Sequence, residues 1–213
     1  MLKTLKRFRK TFLTNFLRVH YSQFGEDVVL RDLLGRQKDG FYVDVGCYHP
    51  KKYSNTYALH KRGWSGINVD MEPHKIELFR LARPRDENVV AAVSDREQTL
   101  YIQTCKSHDL GARLADSGEE AHKVTTRTLT DIIAATRYKG RPIDLLSVDA
   151  EGHDLAVLRS LDFDTYRPRF VVAELHEKDV RKILESDIHL FLESQGYRLR
   201  SWVVCSLIYE RKS

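Results

Sequence analysis

The residues best placed to do chemistry are carboxylates that close apolar runs. Asp44 ends Phe41-Tyr42-Val43-Asp44-Val45, Asp70 ends Gly66-Ile67-Asn68-Val69-Asp70, and Ser94-Asp95 follow Val89-Val90-Ala91-Ala92-Val93. Asp149 and Glu151 follow Ile143-Asp144-Leu145-Leu146-Ser147-Val148, and Glu174 follows Phe170-Val171-Val172-Ala173. Runs this rich in β-branched and large apolar residues read as strands covered on both faces. A desolvated carboxylate is costly unless a donor or cation meets it. One such acid is unremarkable, but acids at the same end of successive strands converge on one crevice. Gly46, just after the first run, lets the backbone turn sharply and a ligand come close. Ligands of open α/β sheets bind beyond the carboxyl ends of the strands, so Asp44-Val45-Gly46 marks a candidate nucleotide site. The plainer alternative is a strand and an ordinary turn.

The elements that must position these acids alternate. An amphipathic helix over Val28–Leu34 follows the polar cluster Tyr21-Ser22-Gln23-Phe24-Gly25-Glu26-Asp27, which either caps it or forms a lip over the site. Ser54 or Asn55 caps a helix through about His60 that Gly63 stops, and Pro73 opens one through Leu81 that Pro84 closes. A short return strand falls at residues 100–102, another at 124–126, and a polar insert at 107–120 reads as a lid or as disorder. Thr128 or Thr130 starts a further helix, one more runs from 154 through Leu161, and another spans residues 187–195. Residues 197–204 and 207–209 read as a closing antiparallel hairpin. Alternation of this kind predicts an α/β doubly wound sheet, mostly parallel with an antiparallel C-terminal edge hairpin.

Length bounds the architecture at one domain: residues 21–213 as a single unit behind a basic segment, residues 1–20. The formal net charge of +5 suggests nucleic acid at first sight. However, six of the 35 basic side chains and none of the 30 acidic ones fall within residues 1–20, so the remainder is balanced and no basic groove is expected. Leu2, Leu5, Phe12, Leu13, Phe16 and Leu17 recur there at helical spacing. That pattern suits a docked leading helix, or weak peripheral contact with an anionic membrane. No apolar run approaches bilayer length, so no transmembrane segment is expected. Cys47, Cys105 and Cys205 are odd in number and scattered, which argues against a disulfide framework or zinc knuckle and suits a cytoplasmic location.

Two cofactor classes compete for the crevice. A dinucleotide needs the G-x-G-x-x-G turn beside its pyrophosphate, and Gly46-Cys47-Tyr48-His49-Pro50-Lys51 lacks the second and third glycines. A nicotinamide-dependent oxidoreductase is thereby disfavoured. S-adenosylmethionine has no pyrophosphate and carries a sulfonium and an ammonium, which carboxylates suit. Asp70 can accept both ribose hydroxyls, and Met71 offers adenine an apolar face.

Taken together in their order, Ser22-Gln23-Phe24-Gly25-Glu26-Asp27, Phe41-Tyr42-Val43-Asp44-Val45-Gly46, Gly63-Trp64-Ser65-Gly66-Ile67-Asn68-Val69-Asp70, Ala91-Ala92-Val93-Ser94-Asp95 and Val148-Asp149-Ala150-Glu151-Gly152-His153-Asp154 make the chain resemble the FkbM family of S-adenosylmethionine-dependent methyltransferases over roughly residues 21–211. The resemblance implies a class I methyltransferase (Rossmann-like) fold and O-methylation of a hydroxyl on a sugar, glycan or natural product. It implies a cofactor site of Gln23, Asp44, Gly46, Cys47, Asp70, Met71, Ser94, Asp95 and Asp149. Asp44 and Gly46 would flank the methionine part, Asp70 the ribose, and Ser94 and Asp95 the adenine. Ser147 and His49-Pro50 depart from the family pattern as pictured on this chain, around the acceptor pocket.

A hydroxyl acceptor must lose its proton to a base within hydrogen-bond reach. The candidates are Asp149, Glu151, His153 and His176. Asp149, Glu151 and Glu174 have a rival role as ligands of Mg²⁺, which takes carboxylate oxygens and would acidify a sugar diol. A third reading is helix capping alone. Tyr48, His49 and Tyr53 are expected to line the pocket of a small-molecule or glycan acceptor, or else to pack in the core. A non-catalytic binding or scaffold protein on the same fold remains the alternative to an enzyme.

Overall fold

The computed structural model describes residues 2–12, 19–103, 113–115 and 121–212. In chain order the elements are α1 (Leu2–Phe12), α2 (Glu26–Leu33), β1 (Phe41–Val45), α3 (Tyr57–Lys61), β2 (Ser65–Asp70), α4 (Pro73–Ala82) and β3 (Glu87–Val90). There follow β4 (Ala92–Val93), β5 (Thr99–Gln103), β6 (Arg113–Ala115), β7 (Ala121–Arg127), α5 (Leu129–Ala134), β8 (Leu145–Val148), α6 (Asp154–Arg159) and α7 (Phe163–Tyr166). The chain closes with β9 (Phe170–Glu174), α8 (Val180–Glu185), α9 (Asp187–Ser194), β10 (Tyr197–Val203) and β11 (Ser206–Arg211).

Seven strands form one sheet in the order β10-β11-β9-β8-β1-β2-β3. Strands β3, β2, β1, β8 and β9 run parallel. Strand β11 is antiparallel to both β9 and β10, so the expected edge hairpin is present with its second strand inserted inward. The chain lays β1, β2 and β3 outward in one direction, then returns to place β8 on the other side of β1. That reversal opens a crevice at the carboxyl ends of β1 and β8, where ligands of such sheets bind.

Side chains alternate across the strands and so supply two apolar faces. Val43, Val45, Ile67, Val69, Leu146, Val148, Val171 and Ala173 point to one face and pack with α5, α6 and α9 through Ile132, Val157, Leu158 and Leu192. Tyr42, Leu145, Phe170 and Val172 point to the other and meet Leu30 and Leu34 near α2, Leu59 of α3 and Trp64. Ile76 and Phe79 of α4 form a further cluster with Cys47. The bordering caps follow the side chains available: Thr128 accepts from Asp131 N, Asp162 from Asp164 N and Thr165 N, Asp179 from Arg181 N, and Ser186 from His189 N.

Three segments differ from the reading of the sequence. The expected third strand over residues 89–93 is two strands: Ala91 N still donates to Asp70 O, after which the chain peels away and Ser94 N bonds Arg127 O. Ala92–Val93 thereby joins a second sheet, β4-β7-β5-β6. The backbone finds partners on both sides of the break, and the unbroken apolar run conceals it. The strand expected from Ile143 begins at Leu145; at the bend before it, Asp144 bonds Phe41 and Phe170 through its backbone, and its carboxylate also accepts from Phe41 N. The short helices α7 and α8 have no counterpart in the sequence reading. Of the insert at 107–120, residues 113–115 form β6, while residues 107–112 and 116–120 lie outside the described residues, as do Cys105 and residues 13–18 of the leading segment. Among the described residues no helix is long and apolar enough to cross a membrane.

Candidate active site

Strand parity assembles the site. Asp44 pairs in register with Ser147 on one side and Asn68 on the other, and Ser147 pairs with Val172. Period-two alternation then places Asp70 and Glu174 on the same face as Asp44 and Ser147. Beyond these strand ends lies a cleft of about 310 Å³ bordered by Gln23, Asp44, Gly46, Cys47, Tyr48, His49, Tyr53, Ser54, Asn55, Ser147, Asp149, Glu151, Glu174 and His176.

Gly46 makes the approach of the two loops possible. Its φ is +77°, and a β-carbon there would run into the Asp149 carbonyl, so the β1 turn and the β8 turn touch backbone to backbone. Val69 O anchors the turn by accepting from Gly46 N and Cys47 N. Asp44 is buried at the floor of the cleft, where Thr56 Oγ1 donates to it at 2.6 Å. Burial pushes its carboxyl up, against the hydrogen bonds from Thr56 and Ser147 and the charge of Arg83.

Arg83, fully buried, holds the loop from Pro50 to Thr56 that walls the cleft. Its guanidinium donates to Pro50 O, to Ser54 Oγ at 2.8 Å and to Thr56 Oγ1 at 2.8 Å. It also reaches Asn68 Oδ1 at 3.3 Å. Behind it, Asp86 accepts from Tyr42 OH, Gly66 N and Asn68 Nδ2. Burial alone would raise Asp86, but hydrogen bonds from His60, Tyr42 and Asn68 outweigh it and hold the acid below its ordinary range. None of this network was legible in the sequence, where an arginine at a helix end before a proline reads as solvated.

The carboxylates crowd at the other wall. Asp149, Glu151 and Glu174 all border the cleft there. Asp154, buried, accepts from Ala150 N and Glu174 N and so ties the β8 and β9 turns together. Glu151 sits at a φ of +51°, an uncommon conformation for a residue with a β-carbon. Enclosure by the cleft walls, then repulsion from Glu174 and Asp154, pushes the Asp149 carboxyl up to about 8. Its surface remains open to cleft water, which screens part of that push; the upward direction stands. Burial likewise raises Asp154 to about 6 and Asp70 to about 6.

These shifts carry a stability prediction. A carboxyl raised in the folded state holds its proton where the unfolded chain has released it, so stability falls as pH rises from the unfolded value through the folded one. Asp70 and Asp154 act between about pH 4 and 6, and Asp149 continues the fall towards about pH 8. Thermal melts of Asp149→Asn will therefore show a shallower decline between about pH 6 and 8 than the parent protein. Parallel declines would show that Asp149 is ionised throughout.

Of the residues singled out in the sequence, the cleft brings together Gln23, Asp44, Gly46, Cys47, Asp149, Glu151, Glu174 and His176. Asp70, Met71, Ser94, Asp95 and His153 are not among its lining. Asp70 accepts from Glu72 N at 2.8 Å and faces Lys75 Nζ at 3.5 Å. The two partners shift in ways that do not match: Lys75 is held as a cation because it reaches Glu72 as well, whereas burial of Asp70 outweighs the help of one lysine. Met71 is half-buried beside it, and Asp95 is exposed. His153 Nε2 meets Ser94 Oγ at 3.0 Å, and burial lowers the pKa of its ring. His176 is exposed and lies 3.3 Å from Glu174. In the cluster before α2, Ser22 Oγ donates to Asp27 and accepts from Asp27 N, Glu26 accepts from Phe24 N and Ser206 Oγ, and Gln23 faces the cleft. Both roles weighed for that cluster are thus present in different residues.

A family sequence model described as "Methyltransferase FkbM domain" matches residues 44–199. No curated protein matches the chain. Among solved structures, a TehB-like SAM-dependent methyltransferase from Corynebacterium glutamicum is 14% identical, with 99% of this chain and 96% of that one covered at a TM-score of 0.44. The N-terminal domain of human METTL16 in complex with SAH is 12% identical, with 100% and 81% covered at a TM-score of 0.47.

Proposed function

The chain belongs to the FkbM methyltransferase domain family, and on that premise we propose that it transfers a methyl group from S-adenosylmethionine to a hydroxyl of a sugar, glycan or other small molecule. The observation that carries this reading is the acid-walled cleft at the strand-order reversal, with Gly46 clearing the space between the β1 and β8 turns. The cleft fits the cofactor's chemistry: Asp44 is a buried carboxylate held by hydroxyl donors on one side, suited to an ammonium or sulfonium on the other. When bound, S-adenosylmethionine supplies a methyl group on a positively charged sulfur and departs as S-adenosylhomocysteine.

The protein's own work is alignment, exclusion of water and proton removal. Asp44 and the Gly46 turn hold one end of the cleft, and alignment of an in-line displacement supplies much of the rate. The acceptor oxygen gives its proton to a base as its new bond to the methyl carbon forms. Asp149 fits that role, since its raised carboxyl lies close to the working pH. The rings of Tyr48 and Tyr53 stack at 6.2 Å, and both line the cleft, offering apolar faces to the C–H groups of a sugar while the acids receive its hydroxyls.

The test is methyl transfer from labelled donor to a panel of sugar and small-molecule hydroxyls, run with the parent protein and Asp44→Asn. A charged hydrogen bond contributes roughly 1.5–3 kcal/mol, so Asp44→Asn will weaken binding of S-adenosylmethionine about 10–100-fold. Unchanged binding in the folded variant would remove Asp44 from the site. Absence of turnover across the panel despite cofactor binding would favour the scaffold reading.

A further inference from the structure

We propose that Glu174, His176 and Cys205 form a three-ligand site for a borderline-soft divalent cation of the zinc class in the wall of the cleft. The three residues come from the end of β9, the segment after it and the turn between β10 and β11. Their donor atoms all lie within 4.8 Å of one another. Glu174 is the hinge of the arrangement: Oε2 lies 3.3 Å from His176 Nε2, and Oε1 lies 3.3 Å from Cys205 Sγ. Around a tetrahedral zinc with bonds of about 2.0–2.3 Å, neighbouring donor atoms sit roughly 3.3–3.6 Å apart. The two edges from Glu174, one through each carboxylate oxygen, match that spacing, and the His176–Cys205 edge, within 4.8 Å, can close by rotation of the exposed His176 ring.

The donor set names the class of ion. One oxygen, one imidazole nitrogen and one thiol sulfur suit zinc and its neighbours, whereas Mg²⁺ takes oxygen alone. The carboxylate trio considered from the sequence, Asp149, Glu151 and Glu174, shares only Glu174 with this site. Spacing alone hides Cys205, which forms no recognisable motif with Cys47 and Cys105. Sheet register brings it in: Ser206 pairs with Glu174, and Leu175 N donates to Cys205 O at 2.7 Å.

The turn that aims the thiol is costly in itself. Val204 and Cys205 are the two residues of a tight hairpin, and Val204 has a φ of +56°. A two-residue hairpin favours glycine or asparagine there, so a β-branched residue stores strain, which collects at functional positions. Three protein ligands leave a fourth position for water or a substrate oxygen. Glu174 and His176 both line the cleft. If the proposed methyl transfer holds, that position is where a sugar hydroxyl would be acidified, although the binding of the metal does not depend on that reading.

Cobalt(II) is the probe, added to untagged, full-length, chelator-treated protein. One equivalent should produce the visible bands of four-coordinate cobalt and a near-ultraviolet cobalt–thiolate band, both erased by zinc and not by magnesium. Cys205→Ser should abolish the thiolate band and Cys105→Ser should keep it. His176→Ala, which removes an exposed ring from outside the core, should weaken cobalt binding at least about tenfold, equivalent to 1.4 kcal/mol. A missing thiolate band in the parent protein, a band that survives Cys205→Ser, or unchanged affinity in His176→Ala would overturn the assignment. The spectra use neither methyl donor nor acceptor, so failure here is distinguishable from failure of the methyltransferase reading.

Discussion

Replacing Arg83 with alanine is expected to destabilise the protein by about 3–5 kcal/mol, the range for removing one member of a buried charged network. The side chain is fully buried, so its removal leaves a cavity lined by polar groups. Its loss strands Pro50 O and leaves the Ser54 and Thr56 hydroxyls without their shared partner. It also removes the positive charge that offsets the burial of Asp44. Arg83→Lys will recover little, because an ammonium cannot reproduce the planar fan of donors. Urea unfolding is the measurement: the midpoint should drop with the slope unchanged. A change of less than about 0.5 kcal/mol, the range of ordinary surface substitutions, would mean that the loop is held by something else.

Gly46→Ala is expected to reduce binding of S-adenosylhomocysteine about 10–100-fold, equivalent to roughly 1.4–2.7 kcal/mol, because the turn must shift to clear the Asp149 carbonyl. Two penalties combine here: a left-handed backbone and a collision with the Asp149 carbonyl. Gly140→Ala separates them. Gly140 has a similar φ of +73° with open space around it, so it bears the backbone term of about 1–2 kcal/mol without the collision. If both variants bind the ligand normally, the β1 and β8 turns do not form the cofactor's seat.

What the sequence made legible and what it hid have one physical explanation. β1, β2 and β9 announce themselves because a strand buried on both faces needs an unbroken apolar run. Asp44, Asp70 and Glu174 are conspicuous because a carboxylate at the end of such a run demands a reason. Gly46 and the edge hairpin follow from equally local signals. Arg83 gives no such signal, since its partners Pro50 and Thr56 lie 33 and 27 residues away and meet it only after the sheet has formed. Cys205 lies 31 residues from Glu174, and only β9–β11 pairing brings them together. The break at Ala91 is hidden for the opposite reason, because the apolar run Val89–Val93 crosses from β3 into β4 and only the partners differ. Lys75 beside Asp70 shows a further gap: a carboxylate can be placed at a strand end from sequence, whereas the cation that meets it cannot.

The most direct test of the central claim is calorimetric titration of the purified protein with S-adenosylhomocysteine. The account predicts saturable one-site binding in the micromolar range, about −8 kcal/mol, weakened in both Asp44→Asn and Gly46→Ala. No saturable heat from the folded parent protein, or equal affinity in both folded variants, would contradict it.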